Sequence, residues 1–211
     1  MSVKLIKGGN IVLTKAGSRL QRVVVACGWD ANQSHGPAYD LDLTAAALDA
    51  SGKVPSTMDP ADPEYQLWFV HANHRETPNN CITFMGDNRT GEGEGDDELM
   101  TIDLRHVPDN IESILFAVVI WLALQRMQKF GNVHNAFIRV FDESNPDEEL
   151  ARYDLGADFS EETLVVFGEL YRRGDEWKFR AVGQGYDAAD YRKQYGIVRA
   201  FETEYARGDK Y

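Results

Sequence analysis

The fold class of this 211-residue chain is indicated most clearly by the stretch Leu164-Val-Val-Phe-Gly-Glu-Leu-Tyr-Arg-Arg-Gly-Asp-Glu-Trp-Lys-Phe-Arg-Ala-Val182. Its two arms, 164–172 and 176–182, are rich in β-branched and aromatic residues, which favour strands. The short turn Arg173-Gly-Asp175 separates the arms and supplies the glycine that tight reversals commonly use. The stretch therefore predicts a β-hairpin.

Short β patterns recur along the rest of the chain. The apolar run Ser113–Trp121 predicts a strand that is buried on both faces. Further strand-like segments occupy 23–29, 39–48, 66–70, 81–85, 99–104, 135–141 and 149–155. A loop is expected at Ser144-Asn-Pro146, between the last two. Many short strands with turn residues between them predict a mainly β protein, a two-sheet β-sandwich.

Helical signals are few. Leu122–Phe130 predicts one short helix that stops at Gly131, and 187–207 predicts a second, broken at Gly196. The segment Lys53–Pro63 carries three prolines and predicts a surface loop.

The charge of the chain restricts its partners. Lys and Arg number 22 and Asp and Glu number 34, for a formal net charge of −12. Such a surface repels nucleic acid and anionic membranes, so we expect no direct nucleic-acid binding. A divalent cation is attracted instead, and it could also bridge the protein to an anionic group.

Cysteine content and hydropathy point to the cytoplasm. Cys27 and Cys81 do not make a disulfide framework, and we expect two buried thiols. The residues from Met1 to Asn10 lack the apolar core of a signal peptide. The longest apolar run, Ile114–Leu124, is too short to span a membrane.

The run Gly86-Asp-Asn-Arg-Thr-Gly-Glu-Gly-Glu-Gly-Asp-Asp-Glu98 is the strongest functional signal in the chain. Like charges at this density repel unless they stay solvated or share a cation. The interleaved glycines permit tight reversals that turn oxygens toward one centre. Calcium prefers such oxygen ligands, and soft metals do not. A solvated acidic loop is the competing interpretation, but strand-like segments on both sides are expected to hold its ends together.

A second acidic feature supports a metal. In Tyr39-Asp-Leu-Asp-Leu43 the period of two places Asp40 and Asp42 on one face of a strand, with Leu41 and Leu43 on the other. Two adjacent carboxylates repel unless a cation or a basic group lies between them. A polar solvent face is the alternative explanation. Asp30 is a further candidate, because the loop that follows it could bring it near the start of this strand.

Other chemistry is less well supported by the sequence. His71, His74 and Cys81 could contribute to a zinc or soft-metal site, although their spacing fits no standard zinc motif, and ordinary surface histidines are the simpler interpretation. Acid pairs with a divalent metal can activate water. No nucleophile elbow, metalloprotease helix or Cys-x-x-Cys is present, so we expect a non-enzymatic protein.

With these residues, the chain resembles the TerD family of tellurite-resistance and stress-response proteins. The acidic run and the stretch Gly168–Gly185 carry the resemblance most specifically. Further matching motifs are Lys7-Gly-Gly-Asn10, Gly28-Trp-Asp30, Tyr39-Asp-Leu-Asp-Leu43, Phe130-Gly-Asn-Val-His-Asn-Ala-Phe-Ile-Arg139 and Ala151-Arg-Tyr-Asp-Leu155. The likeness extends to about Ile197, so we expect a sandwich domain at 1–197 and a helical C-terminal extension at 198–211.

The resemblance implies a β-sandwich that binds two calcium ions and acts in resistance to tellurite, other chemical stress or phage, with no established enzymatic activity. It also implies protein partners in a stress-response assembly, membrane-associated ones among them. Carried over to this chain, the implied calcium ligands are Asp40, Asp42, Asp87, Asn88, Glu92, Asp96, Asp97 and Glu98, with Asp30 and Glu94 as further candidates. The segments 53–63, 70–80, 121–125 and 198–211 depart from the family pattern, which leaves partner contacts open.

Three functions remain open on sequence alone. The first is a calcium-dependent binding or scaffold module. The second is a metal-dependent hydrolase that acts on a phosphate-containing small molecule. The third is calcium-bridged binding of a phosphate-containing ligand, a lipid or a cyclic nucleotide. We favour the first, because the sequence offers oxygen ligands without a catalytic apparatus.

Overall fold

A computed structural model of the chain describes residues 3–15, 18–33, 35–55, 68–155 and 159–186. Within them lie a four-residue helix, α1 at Ala123–Arg126, and a 3-10 turn at Phe130–Asn132. The strands are β1 Val3–Lys4, β2 Asn10–Val12, β3 Arg22–Gly28, β4 Leu41–Leu48, β5 Phe69–Val70, β6 Ile82–Phe84, β7 Glu98–Asp103, β8 Ser113–Ile120, β9 Phe137–Asp142, β10 Asn145–Asp154, β11 Leu164–Arg173 and β12 Glu176–Tyr186.

The described strands form two sheets of six. The first has the order β1-β10-β9-β3-β7-β6 and the second β2-β12-β11-β8-β4-β5. Neighbouring strands are antiparallel, except that β1 runs parallel to β10. The mainly β, two-sheet architecture predicted from the sequence is therefore confirmed.

The main core lies between the sheets. Val25 and Ile102 of the first sheet pack there with Leu43 and Phe116 of the second, all at most 1% exposed. The outer face of the second sheet holds another buried apolar cluster, which includes Leu115. Strand β8 contributes to both clusters, as its uninterrupted apolar sequence predicted.

The hairpin is confirmed, with Arg173 opposite Glu176 at its turn. Its register shifts between Val166 and Gly168, where a Cβ on Gly168 would lie 3.0 Å from Cε2 of Phe179 and closer still to Cζ. A side chain at this position would collide with the core, so the glycine allows the bulge and the close packing.

Several local predictions differ from the structure. The loop expected at Ser144-Asn-Pro146 is shorter in the structure, because the turn covers 143–144 and β10 begins at Asn145 and includes Pro146. The register of β10 shifts between Asn145 and Glu149, so the proline, which has no N–H to donate, lies in an irregular stretch of the strand. The helix expected at Leu122–Phe130 is shorter in the structure, where α1 covers only Ala123–Arg126. Strands β1 and β2 were not predicted.

The expected surface loop is described only up to Pro55, and the expected helix at 187–207 lies outside the described residues, as does the extension at 198–211. The domain boundary at 197 stays a prediction. No helix within the described ranges is long and apolar enough to cross a membrane.

Candidate metal centre

The two acidic segments meet where strands of opposite sheets begin. Asp40 directly precedes β4, and Asp42 lies within it. Leu41 and Leu43 pack in the core between the sheets, as the alternation predicted. Glu98 is the first residue of β7 in the other sheet, at the end of the acidic run. It shares the inward face of β7 with Met100 and Ile102, so its side chain extends toward β4.

Glu98 lies at the centre of this group. It is fully buried, and its Oε2 accepts a hydrogen bond of 2.5 Å from the backbone N–H of Leu43, across the two sheets. The other oxygen, Oε1, is buried without a hydrogen-bond partner among the described residues. An ionised carboxylate in this position is strongly disfavoured unless a positive charge accompanies it.

Two further carboxylates converge on Glu98. Asp42, Asp87 and Glu98 each offer one oxygen, and these oxygens lie within 4.8 Å of one another. Burial, followed by the negative charges of Asp42 and Asp87, raises the pKa of Glu98 to about 10. Burial likewise raises the pKa of Asp40, against the opposing charge of Arg126, whose Nη1 lies 3.6 Å from Asp40 Oδ2.

The donor set fits a hard divalent cation. The carboxylates of Asp40, Asp42, Asp87 and Glu98 lie together, and Oε1 of Glu98 is buried without a hydrogen-bond partner among the described residues. Calcium takes about six to eight oxygen ligands, so four carboxylates would fill a large part of its coordination shell. Histidine and cysteine are absent from the three converging groups, which disfavours a soft metal.

The loop that carries Asp87 is shaped by Asn88 and Gly91. Asn88 Oδ1 accepts hydrogen bonds from the backbone N–H groups of Thr90 and Gly91, at 3.0 and 3.2 Å. Gly91 has φ +66° and lies against Trp29, where an added Cβ would be 2.5 Å from Cδ1 of the indole. The oxygen of Asn88 is thus used to fold the loop, and only glycine fits at position 91 without strain.

A second acidic group surrounds Asp97. Its Oδ2 accepts a 2.8 Å hydrogen bond from the Trp29 backbone N–H, and its Oδ1 accepts one of 2.6 Å from the Asn88 amide. Burial raises the pKa of Asp97, as do the charges of Asp96 and Asp30. Asp30 accepts a 2.7 Å hydrogen bond from Asn135 and lines a polar cavity of about 560 Å³. Asp30 therefore lies near Asp97 and outside the group around Asp42.

The remaining candidate ligands are Asp96, Glu92 and Glu94, and Asp96, whose charge acts on Asp97, is held in an ion pair. Both carboxylate oxygens of Asp96 accept hydrogen bonds from the Arg139 guanidinium, at 2.7 and 2.6 Å. Glu92 and Glu94 are exposed. Arg89 donates two hydrogen bonds to Asp87 Oδ2 and offsets part of the charge of the run.

The possible soft-metal site is not assembled in the structure. Among the described residues, the group of Asp42, Asp87 and Glu98 alone places three metal-binding side chains within mutual reach. His71 and His74 pair through their backbones, and Cys81 is buried beside Thr77. Burial lowers the pKa of His71 to about 4, so its ring is neutral at pH 7.

A cavity of about 270 Å³ adjoins the carboxylates of Asp40, Asp42 and Asp87. Its other lining residues are His71, Ala72, Asn73, Arg75, Arg89 and Trp121. This lining contains no Ser, Thr, Cys or Lys that could act as a nucleophile. Arg89 was visible in the sequence as the one base in the acidic run, whereas nothing in the sequence marked Arg75.

Fold and site together define a β-sandwich protein with a buried carboxylate cluster suited to a divalent cation. The TerD domain model matches residues 1–190, and the chain belongs to the TerD family. It is 47% identical over 199 residues to a tellurium resistance protein TerD from Serratia marcescens, covering 93% of this chain and 98% of that one.

Other relatives include general stress protein 16U from Bacillus subtilis (strain 168), 44% identical over 203 residues, with 93% of this chain and 100% of that protein covered. The crystal structure of a homologue of telluride resistance protein (TerD) from Streptomyces coelicolor A3(2) has the same fold, with a TM-score of 0.63 at 23% identity over 84% of this chain and 98% of that one. The named relatives are resistance and stress-response proteins.

Proposed function

We propose that this protein binds calcium and acts as a non-enzymatic binding or scaffold module in a bacterial resistance system for tellurite and other chemical stress. The names of its relatives support the resistance role. The donor chemistry around Glu98 supports the calcium.

One observation carries the calcium proposal. Glu98 is fully buried, and its Oε1 has no partner among the described residues while two other carboxylates lie beside it. A fold that gathers three carboxylates, one of which has a buried oxygen without a hydrogen-bond partner, is unfavourable by itself. Each carboxylate raises the free-energy cost of ionising the others. A divalent cation offsets that cost. The proposed ligands of the first ion are Asp40, Asp42, Asp87 and Glu98.

We place the second ion at Asp97 and Asp30, with Asn135 beside them. Asp97 is half-buried and lies close enough to Asp30 and Asp96 for their charges to raise its pKa. The ion pair with Arg139 occupies Asp96, and Asn88 directs its oxygen into its own loop. These two residues would then position the ligands rather than bind the ion.

The scaffold role rests on what lines the cavity. A carboxylate-bound metal can activate water, but the lining offers no Ser, Thr, Cys or Lys for covalent catalysis. Calcium is also a weaker Lewis acid than the smaller, more strongly hydrated divalent ions, so it suits holding a structure together. We propose that other proteins of the stress response are the partners and that they meet this protein in the cytoplasm.

A calorimetric calcium titration tests the proposal. We expect two binding events in the unaltered protein. Glu98→Gln keeps an acceptor for the Leu43 N–H but removes the charge, so the tighter event should weaken at least 100-fold, or about 3 kcal/mol. Glu94→Gln is the matched control, because it removes one exposed carboxylate from the same run. Absence of calcium binding, or equal loss in both variants, would refute the proposal.

A further inference from the structure

The cavity beside the carboxylate cluster presents two opposite kinds of chemistry. Asp40, Asp42 and Asp87 line it and attract a cation. Arg75 and Arg89 line the same cavity and offer hydrogen-bond donors suited to an anion. A cavity of about 270 Å³ is small for an organic cofactor but large enough for a compact polar group.

Arg75 is the cation of this cavity that carries no ion pair within the described part of the chain. Its Nε donates a 3.3 Å hydrogen bond to the Ala72 carbonyl, and its guanidinium stacks over Phe84 at 5.5 Å. These contacts use Nε and the face of the guanidinium, and among the described residues its Nη groups have no side-chain acceptor. Arg89, by contrast, is paired with Asp87 at 3.0 Å.

The cation itself leaves positions open. Calcium requires about six to eight oxygens, and the four carboxylates that line or adjoin the cavity do not complete the shell if each contributes one. Ligands that approach from the cavity could complete the shell, and Arg75 and Arg89 line that cavity. An anion there would reach the metal and the guanidinium donors together.

We propose that the calcium-loaded site binds a phosphate-type oxyanion, with one oxygen on the ion and others on Arg75 and Arg89. This inference rests on the proposed calcium site and names the ligand of that site. The shared chemistry is the phosphate group, which a free phosphate compound or a lipid headgroup can supply. His71 and Asn73 add neutral polar groups to the same wall.

The charges fix the order of binding. Without calcium, Asp40, Asp42 and Asp87 repel an anion, so phosphate should not bind. With calcium, phosphate and ion should strengthen each other's binding by the same factor, since coupling between two ligands is reciprocal. We expect the coupling to be about tenfold, in the range common for linked sites.

The test measures calcium affinity by calorimetry with and without inorganic phosphate, at concentrations below calcium phosphate precipitation. In the unaltered protein, phosphate should tighten calcium binding about tenfold. Arg75→Gln should abolish this gain, while calcium affinity without phosphate should not fall, because the substitution removes a positive charge from the cavity and breaks no ion pair with the carboxylates. Arg173→Gln, which removes an exposed arginine at the β11–β12 turn, should keep the gain.

Two results separate failure of this inference from failure of the calcium site. No calcium binding at all would refute the proposed function and the oxyanion site with it. If phosphate does not change the calcium affinity, or if phosphate still tightens calcium binding in Arg75→Gln, the oxyanion site alone is refuted.

Vesicles identify the source of the phosphate. Sedimentation with phosphatidic acid vesicles in calcium, lost in Arg75→Gln and competed by inorganic phosphate, would support the site with a lipid headgroup as its ligand. Phosphate coupling without sedimentation would support it with a free phosphate compound.

Discussion

Glu98 occupies a position that would suit an apolar side chain. It lies on the inward face of β7, ahead of Met100 and Ile102, and it is as buried as they are. Its pKa is raised to about 10, so in the cation-free fold the side chain is protonated at neutral pH. Calcium binding requires the ionised form, and the residue thus exchanges a proton for a metal ion.

This exchange predicts how stability depends on pH. The folded pKa of Glu98 lies above the usual value of 4.5. The contribution of Glu98 to the free energy of unfolding is therefore fully present below about pH 4.5, and it is lost as the pH rises from 4.5 toward 10. At pH 7 the cost is about 3 kcal/mol. With calcium removed by a chelator, we expect the free energy of unfolding of Glu98→Gln to rise by this amount relative to the unaltered protein between pH 4.5 and 7. Urea unfolding measures it.

The comparison is between pH values, so any change in packing from the substitution cancels. Asp96→Asn serves as the control, because Asp96 is held by Arg139 and lies outside the cluster. A stability difference between Glu98→Gln and the unaltered protein that stays constant with pH would contradict the raised pKa.

The loop between β6 and β7 presents Asp87 and Asp97 to different surroundings. Gly91 makes this possible, because its positive φ turns the chain where it passes the Trp29 indole. The ring fills the space that a side chain would need. Trp29 is itself fixed by a 3.1 Å hydrogen bond from its Nε1 to the Tyr39 carbonyl, one residue before Asp40.

Gly91→Ala should therefore cost more than backbone strain alone. Gly174 is a matched control, since its φ of +62° is close to the +66° of Gly91 but nothing lies within 4 Å of an added Cβ. We expect Gly174→Ala to cost about 1 kcal/mol and Gly91→Ala about 3 kcal/mol or more, because of the added overlap with Trp29. Urea unfolding in calcium measures both. Equal costs would show that the indole moves aside freely.

Local sequence predicted the elements whose partners are close in the chain. The hairpin β11–β12 and the buried strand β8 follow from composition and a nearby turn. Strands β1 and β2 were missed because they are two and three residues long and pair with strands more than a hundred residues away. A pattern within such short segments cannot indicate so remote a partner.

The candidate site shows the same division. Asp40 and Asp42 were expected beside the acidic run, and Asp42 does meet Asp87 and Glu98. The separate position of Asp96 could not be anticipated, because its partner Arg139 lies on β9, 43 residues away. The hydrogen bond from Leu43 to Glu98 depends likewise on how the two sheets stack, which no single segment encodes.

The carboxylate cluster around Glu98 joins the two sheets of the sandwich. Asp42 belongs to the second sheet, Glu98 to the first, and the hydrogen bond from Leu43 N–H to Glu98 crosses between them. A shared cation would therefore hold one end of the sandwich closed. The chain also carries a net charge of −12, so two calcium ions would relieve part of its self-repulsion.

Amide hydrogen exchange should detect this closure locally. If opening of the Leu43 N–H requires loss of the ion, calcium at 100 times its Kd should slow its exchange about 100-fold. The Ala181 N–H is the matched control, because it lies in the second sheet like Leu43 and bonds to the Gly9 carbonyl at 2.9 Å, away from the cluster. Its exchange should change much less. Equal slowing of both amides would show that calcium stabilises only against global unfolding, and no slowing at Leu43 would show that the ion does not bind between the sheets.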